Sequence, residues 1–389
     1  MKQVLIFSVA YFPFVGGAEV AVREVTRRLG DMSDIEFHLV TVNLNGREKS
    51  YEKIDNVHVY RVGHGMFGKY IFPITGVSKA ILLHKRFRFS AVWSIMASYG
   101  GIAALLFTTL RPKVKFILSL QEGDPVDHIK RRALPVYPFF WAIFKKVSVV
   151  HVISNYLAEV AKDFGVRVPI KVIPNGVDTA LFGHKFSPTE IEDLKQRLGK
   201  IPGDRWLVTT SRLTFKNGID TIIRTLPFLP ENIILLILGE GELEVELKNL
   251  SEKLCVESRV IFLGIVSHAE MPKYLKICDV FVRPSRSEGL GNSFIEAMAA
   301  GLPIIGTNVG GIPDFLKDRE TGLFCEVDNP MGLAADILTI IDSEELRLKI
   351  VHNGREFAIA SYDWQNIAEQ MNRKGFAPVF ASSSVSEKT

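Results

Sequence analysis

Apolar residues along this chain fall in short continuous runs, not in strict alternation. VLIFSVA, FHLVTVN, VHVYRV, AVWSIM, VKFILSL, VSVVHVI and KVIPN succeed one another over the first 175 residues, most of them parted by helically spaced segments such as AEVAVREVTRRLGD. Runs of this kind mark strands covered on both faces, hence a mostly parallel sheet between helices. The series pauses at DTALFGHKFSPTEIEDLKQRLGKIPGDR, which is polar and rich in turn residues. It resumes with WLVTTSR, IILLILG, RVIFLG, VFVRP, LPIIGT and LFCEV, each trailed by a helical pattern. Two such series, parted by a polar seam near residues 176–204, predict an α/β protein of two Rossmann-like doubly wound domains facing each other across a cleft. In such sheets ligands bind at the carboxyl ends of the strands. No repeat of 20–50 residues is visible, which excludes a solenoid.

Two apolar stretches test whether the chain enters a membrane. Phe89 to Leu110 carries no charge and is long enough to span a bilayer, but serines and the Tyr99-Gly100-Gly101 break interrupt it. It reads better as a strand, a turn and a buried helix closed by Arg111-Pro112. The amino terminus, MKQVLIFSVAYFP, makes a weak signal peptide and a good buried first strand.

With 389 residues, 47% hydrophobic and 23% charged, the chain has the composition of a two-domain globular protein and not of a disordered one. Cys255, Cys278 and Cys325 show no metal-ligand or disulfide spacing, which fits reduced thiols in a cytoplasmic setting. The net charge of +4 hides an asymmetry. Residues 1–175 hold 24 Lys and Arg against 13 Asp and Glu, or +11, leaving 23 against 30, or −7, for the remainder. A positive first half favours an anionic partner such as a membrane leaflet, a phosphorylated acceptor or nucleic acid over the alternative of a merely solvated surface. Charge meets aromatics in HIKRRALPVYPFFWAIFKK, 128–146, which fits either an interfacial membrane contact or a short core helix with basic ends.

The stretch richest in chemistry is RPSRSEGLGNSFIEAMAAGLPIIGTNVGGIPD, from Arg283 to Asp314. A strand, a glycine loop and a helix from Ser293 to Ala300 follow in order, presenting backbone N–H groups and a helix dipole to a phosphate. Glu288 lies in the loop, where its carboxylate can reach a sugar. Glu296 lies in the first helical turn, where it can accept from paired ribose hydroxyls. Ser293-Phe-Ile-Glu296 is also a capping box that needs no ligand, and spacing alone leaves the two readings of Glu296 open.

Glu288 and Glu296 form an E-x7-E pattern, and the stretch resembles the signature of the retaining, GT-B-fold glycosyltransferases of family 4. FPFVGGAE at 12–19, KVIPNGVD at 171–178, SRLTFKNGID at 211–220, LILGEGE at 236–242 and FLGIVSHAEMPKYLKICDVFVRPS at 262–285 fall in that family's order. The resemblance implies roles. Glu288 would contact the donor sugar and Glu296 the ribose. The amides of Leu290, Gly291 and Asn292, with Gly289 beside them, would meet sugar and diphosphate. Arg212 would clamp the diphosphate with its bidentate fork. Main chain at Ile265 and Val266 would face the base. Gly16, Gly17 and Gly241 would let backbone approach the donor. YDWQNIAEQM resembles the family's last helix, so residues 1–178 with a helix at about 362–379 would form the acceptor domain, and 179–361 the donor domain. Residues 380–389, serine-rich from Ser382, would be a disordered tail. Closure about Asn175–Asp178 would expel water.

Two positions depart from the family pattern. Where it has a second cation five residues after the arginine, this chain has Asn217, with Lys216 beside it to supply the charge. Where it commonly has a histidine, this chain has Gln121-Glu122-Gly123-Asp124; Gln121 would bond a sugar hydroxyl, and Glu122 or Asp124 would serve as an acceptor-side base. The GxG of GEGELEVEL lacks a third glycine and a ribose-binding acid, which argues against a dehydrogenase. No DxD or HExxH occurs, so neither metal nor cofactor is expected beyond the sugar nucleotide as co-substrate. The expected activity is metal-independent retaining transfer of a hexose from a UDP- or GDP-linked donor to a lipid-linked, glycan or small-molecule acceptor, in the cytoplasm or at its membrane face. A nucleotide-sugar epimerase and a non-catalytic sugar-nucleotide binder share the fold and stay open. No motif supports nucleic-acid binding.

Overall fold

A computed structural model describes residues 1–14, 16–133 and 137–384. The chain divides into two units, Met1–Asn175 with Trp364–Thr389, and Gly176–Asp363.

The first unit holds an eight-stranded sheet. Its strands are β1 (Lys2–Phe7), β2 (Ile35–Val42), β3 (Tyr51–Ile54), β4 (Val57–Val62), β5 (Ala91–Ile95), β6 (Lys115–Leu120), β7 (Val149–Val152) and β8 (Ile170–Val172). They lie in the order β3-β4-β2-β1-β5-β6-β7-β8, all pairs parallel except β3 with β4. That antiparallel pair is absent from the pattern-based reading. YEKI is short and carries two charges, but the two-residue Asp55-Asn56 link, with Asp55 at φ 51°, is a hairpin turn that the sequence does display. The uncharged stretch resolves into β5 and a helix, Tyr99–Leu110, most of whose residues are buried. Among the described residues, no helix is long and apolar enough to cross a membrane.

A polar chain runs through the centre of this sheet. Trp93 Nε1 donates to Ser119 Oγ at 2.7 Å, Ser119 Oγ lies 2.6 Å from His151 Nδ1, and His151 Nε2 lies 2.7 Å from the Ile173 carbonyl. The carbonyl can only accept, so Nε2 carries the proton and Nδ1 accepts from Ser119, satisfying every buried group.

The chain returns to this unit at Trp364. Trp364, Ile367, Ala368 and Met371 are buried in one core with Val22, Val25, Phe37 and Trp93. A π-helical turn, Met371–Phe376, leads into a helix, Ala377–Ser384. The irregular tail expected from residue 380 is therefore helical through 384, because Phe376 and Val379 anchor the segment in the core; residues 385–389 lie outside the described residues. The basic-aromatic segment 128–146 supplies parts of two helices, Val126–Ala133 and Tyr137–Lys146, with Pro135 outside the described residues. Phe140, Ile143 and Phe144 are buried, and the rings of Phe140 and Phe144 pack on Phe164 at 5.3 and 5.6 Å. Of the two sequence readings, the core helix with basic ends fits these aromatics.

The second unit is a six-stranded, wholly parallel sheet. Its strands are β9 (Arg205–Thr210), β10 (Ile233–Leu238), β11 (Val260–Gly264), β12 (Val280–Arg283), β13 (Ile304–Thr307) and β14 (Leu323–Cys325), in the order β11-β10-β9-β12-β13-β14. The polar seam is not a loop. It carries a helix, Pro188–Leu198, opened by a Ser187–Glu190 capping box and closed by Gly199 at φ 79°. Succession runs outward in both directions from β9 and β12, so the order reverses between these neighbours. At such a reversal the following loops diverge and leave a crevice beyond the carboxyl ends of the two strands.

Candidate functional site

The β9–β12 reversal holds Arg212 and Lys216 on the turn after β9 and Glu288 to Asn292 on the turn after β12, whereas Gly241 and Ile265–Val266 follow β10 and β11. β12 ends in Arg283, a guanidinium at the edge of the otherwise apolar strand VFVR and almost wholly buried. Its Nη2 donates to Glu288 Oε2 at 2.5 Å and its Nη1 to Ser293 Oγ at 2.6 Å, and the guanidinium stacks 4.6 Å from the Phe294 ring. Glu288 Oε1 also accepts from the Gly289 amide at 3.1 Å. Ser293 is thus held by Arg283, and the Asn292–Ala300 helix starts from Gly291 at φ 104° with no side-chain cap. The Ser293–Glu296 capping box does not form. Glu296 instead lies 3.2 Å from His268 Nε2 and stays partly exposed, its reach to a ligand not spent on the helix start.

The turn after β9 supplies the cations. Arg212 is exposed and Lys216 half-buried. Asn217, where the family pattern expects a lysine, is buried and turned inward: its Nδ2 donates to the Arg212 carbonyl at 2.6 Å and lies 3.3 Å from Thr214 Oγ1. Asn217 thus shapes the loop that carries Arg212 and leaves positive charge to its neighbours. Arg286 ties this loop to the glycine turn. Its amide donates to the Lys216 carbonyl at 2.7 Å, its Nη1 donates to the Phe215 carbonyl at 2.6 Å, and its guanidinium stacks 4.1 Å from the Phe215 ring. Asp220 and Asp328 pair with Arg286 at 2.8 and 2.6 Å. Those bonds raise the guanidinium's pKa above its ordinary value and lower that of Asp328.

Glycines here serve backbone crossings. A Cβ on Gly241 would stand 2.4 Å from the Leu213 carbonyl oxygen, so the turn after β10 packs directly on the Arg212 loop. That contact accounts for the GxG without a dinucleotide. Ile265, just beyond β11, is exposed and Val266 half-buried. The buried hydroxyls of Ser211 and Ser285 and the Nε of Arg283 find no protein hydrogen-bond partner. Unpaired buried polar atoms are costly, and these gather at the ends of β9 and β12. Among the described residues, no three His, Cys, Asp or Glu side chains converge as on a metal ion.

Four residues escaped the sequence reading. Arg283 and Arg286 bracket the RPSR segment, and a guanidinium at the edge of an apolar strand was the visible signal. Gly310 and Gly311 follow β13, and the Gly311 amide donates to the Glu288 carbonyl at 3.2 Å. The NVGG segment displayed the glycines but not what they touch.

The remaining predicted residues lie in the first unit. Gly16 and Gly17 are exposed at the start of the Gly17–Met32 helix, Gly16 in an extended conformation that any residue can adopt. Gln121 follows β6, and its Oε1 accepts from Asn175 Nδ2 at 3.3 Å. The Glu122 carboxylate accepts from the Gln121 amide at 3.1 Å and lines a small cavity with Phe140, Phe144 and Phe164; burial raises its pKa.

Comparison with known proteins agrees with this architecture. Residues 15–181 match the model described as Glycosyltransferase Family 4, and residues 190–357 the model described as Glycosyl transferases group 1. An uncharacterized glycosyltransferase of Methanocaldococcus jannaschii, MJ1607, is 30% identical over 352 residues, covering 86% of this chain and 88% of its own. The GDP-mannose-dependent alpha-(1-6)-phosphatidylinositol monomannoside mannosyltransferase of Mycobacterium tuberculosis is 30% identical over 237 residues, 58% of this chain and 60% of its own. The crystal structure of Anabaena Alr3699/HepE in complex with UDP and glucose superposes with a TM-score of 0.80 at 20% identity, over 96% of this chain and 99% of its own. Two matched models that together span both units, and a relative alike over nearly its whole length, place this chain among the family 4 glycosyltransferases of the GT-B fold.

Proposed function

We propose that this protein transfers a hexose from a UDP- or GDP-linked donor to a lipid-linked, glycan or small-molecule acceptor, with retention of configuration and without a metal ion. The observation that carries the reading is the turn from Glu288 to Asn292. There a carboxylate and the start of a nine-residue helix stand beside the Arg212–Lys216 loop at the strand-order reversal. In this reading Glu288 bonds the donor sugar and Glu296 the ribose. The amides of Leu290, Gly291 and Asn292 meet the phosphates, and main chain at Ile265 and Val266 faces the base.

The chemistry asks for a site that favours charge separation. As the glycosidic bond breaks, negative charge grows on the diphosphate and positive charge on the sugar's anomeric carbon. Arg212, Lys216 and the positive end of the Asn292–Ala300 helix neutralise the first; fixed groups of this kind need no reorganisation as charge develops. The Glu288 carboxylate favours the second. The acceptor then attacks from the face the diphosphate leaves, which preserves the anomeric configuration. The acceptor falls to the first unit, whose sequence carries the excess positive charge, and the mannosyltransferase relative, whose name specifies phosphatidylinositol monomannoside, favours a lipid.

Thermal unfolding with UDP, GDP, ADP and their common sugars tests the donor half. One nucleotide should raise the melting temperature without added metal, and no shift from any would overturn the reading. With a donor in hand, Glu288→Ala should abolish transfer while leaving the fold intact. NMR of the product anomer tests retention, and product without any acceptor would assign an epimerase.

A further inference from the structure

The Gly68–Phe87 helix is apolar on two faces. Phe72, Val77, Ala80 and Leu83 are buried, Phe72 packing edge-on against Phe7 of β1 at 6.1 Å. The opposite side has no cover. Phe67 is 84% exposed, Ile74 70% and Leu82 63%, with Tyr70 and Ile71 exposed between them. At about 100° per residue these positions fall on one stripe along the helix axis, roughly 22 Å long. A solvated helix of a globular protein ordinarily carries charge on that side.

Polar groups on the stripe turn inward. Thr75 Oγ1 donates to the Ile71 carbonyl at 3.3 Å and Ser78 Oγ to the Ile74 carbonyl at 2.9 Å, so neither hydroxyl depends on water. Charge on the helix is all of one sign: Lys69, Lys79, Lys85 and Arg86, with no Asp or Glu between 68 and 87. Lys69 lies 5.0 Å from the Tyr70 ring, the position of a long side chain that spreads its stem along apolar surface and lifts its charge to the headgroups.

We propose that this stripe is a docking surface for an anionic lipid bilayer. The helix lies in the interface plane, Phe67, Ile71, Ile74 and Leu82 enter the acyl boundary, and the lysines meet anionic headgroups. Self-pairing of two copies through the same face would bring like charges together with no acid on the helix to answer them. The surface differs from the 128–146 segment that the sequence offered for a membrane contact, whose Phe140 and Phe144 are buried. The inference rests on the transfer reading only in what it adds to it, namely that a lipid acceptor is met at the bilayer surface.

Co-sedimentation of the full chain with vesicles tests it, using phosphatidylcholine alone and phosphatidylcholine with about 30% phosphatidylglycerol. Binding should require the anionic lipid and weaken with salt. Phe67→Ser with Ile74→Ser should lower the partition coefficient at least ~10-fold, with an unchanged melting temperature because both side chains are exposed. Lys69→Glu with Lys85→Glu should act as raised salt does. Parental binding by the double serine variant, or no binding by the parent, would overturn the proposal. So would a parental dimer that the same serines dissociate in size-exclusion chromatography with light scattering, since it assigns the face to self-association. No donor or acceptor enters this assay, so it and the nucleotide screen can fail independently.

Discussion

Arg283 Nη2 lies 2.5 Å from Glu288 Oε2, which makes the end of β12 the anchor of the carboxylate in the glycine turn. The same guanidinium reaches Ser293 at 2.6 Å, so one buried cation fixes both the loop and the first turn of the helix that follows. The guanidinium's fixed fork is divided between the two, one donor to the carboxylate and one to the hydroxyl, and so sets Glu288 and Ser293 relative to each other. Its consequence is orientation: the Glu288 carboxylate is held in one direction and not over a distribution of rotamers.

Replacing Arg283 should therefore separate turnover from binding. Arg283→Met is expected to lower kcat about 10- to 100-fold through misplacement of Glu288, while nucleotide affinity changes by less than ~3-fold. Arg283→Lys, which keeps one donor and loses the fork, should recover part of the rate. Steady-state kinetics with nucleotide titration decides; parental kcat in the methionine variant would show that Glu288 needs no anchor.

Asn217 organises its loop from inside. Asn217→Ala removes one of two donors to the Arg212 carbonyl, which keeps the Thr214 amide at 2.9 Å, and should cost about 0.5–1.5 kcal/mol in denaturant unfolding. It should also raise the donor KM as the Arg212 loop loosens. Asn217→Lys, although it supplies the cation that the family pattern expects, should do no better, because the long side chain must leave the interior and break the same bond. A lysine variant with tighter donor binding and unchanged stability would refute this account.

Gly310 and Gly199 offer a matched pair. Both have positive φ, 56° and 79°, where a side chain is strained. A Cβ on Gly310 would stand 1.8 Å from the Glu288 carbonyl oxygen, whereas nothing lies within 4 Å of one on Gly199. Both alanine variants should lose about 1 kcal/mol to backbone strain. Only Gly310→Ala should also displace the Glu288 turn and cut turnover more than ~10-fold. Equal activity in the two variants would show that the crossing has no bearing on the site.

Acid should unfold the first unit through its buried histidines. Desolvation holds both His38 and His151 down to about 4, against about 6.5 when exposed. Below pH 6.5 the unfolded chain therefore binds protons that the folded chain refuses. The stabilisation is fully present above pH 6.5 and is lost as pH falls through about 4, on the order of 3 kcal/mol per histidine at most. Ser119→Ala, which orphans Trp93 Nε1 and His151 Nδ1 together, should cost a further 1–3 kcal/mol or so at neutral pH. Urea unfolding followed by tryptophan fluorescence at several pH values reads both, and a flat profile between pH 7 and 4 would rule out the histidine contribution.

Much of this protein was determined by its sequence alone. Continuous apolar runs required buried parallel strands, and the polar interval between two series of them required two units. The order of the glycine and charged blocks carried the family, because those residue types are needed wherever a backbone must approach a phosphate. Side-chain partnership was decided only in the tertiary structure. Ser293 and Glu296 have the spacing of a capping box, yet Arg283, ten residues upstream, claims Ser293 and leaves Glu296 beside His268. Asn217 occupies the place of a cation and serves as a buried donor, and 128–146 carries the composition of an interface, yet its Phe140 and Phe144 pack on Phe164. In each case the competing partner stands on another element, brought close by the strand order or by helix packing, and local spacing holds no record of it.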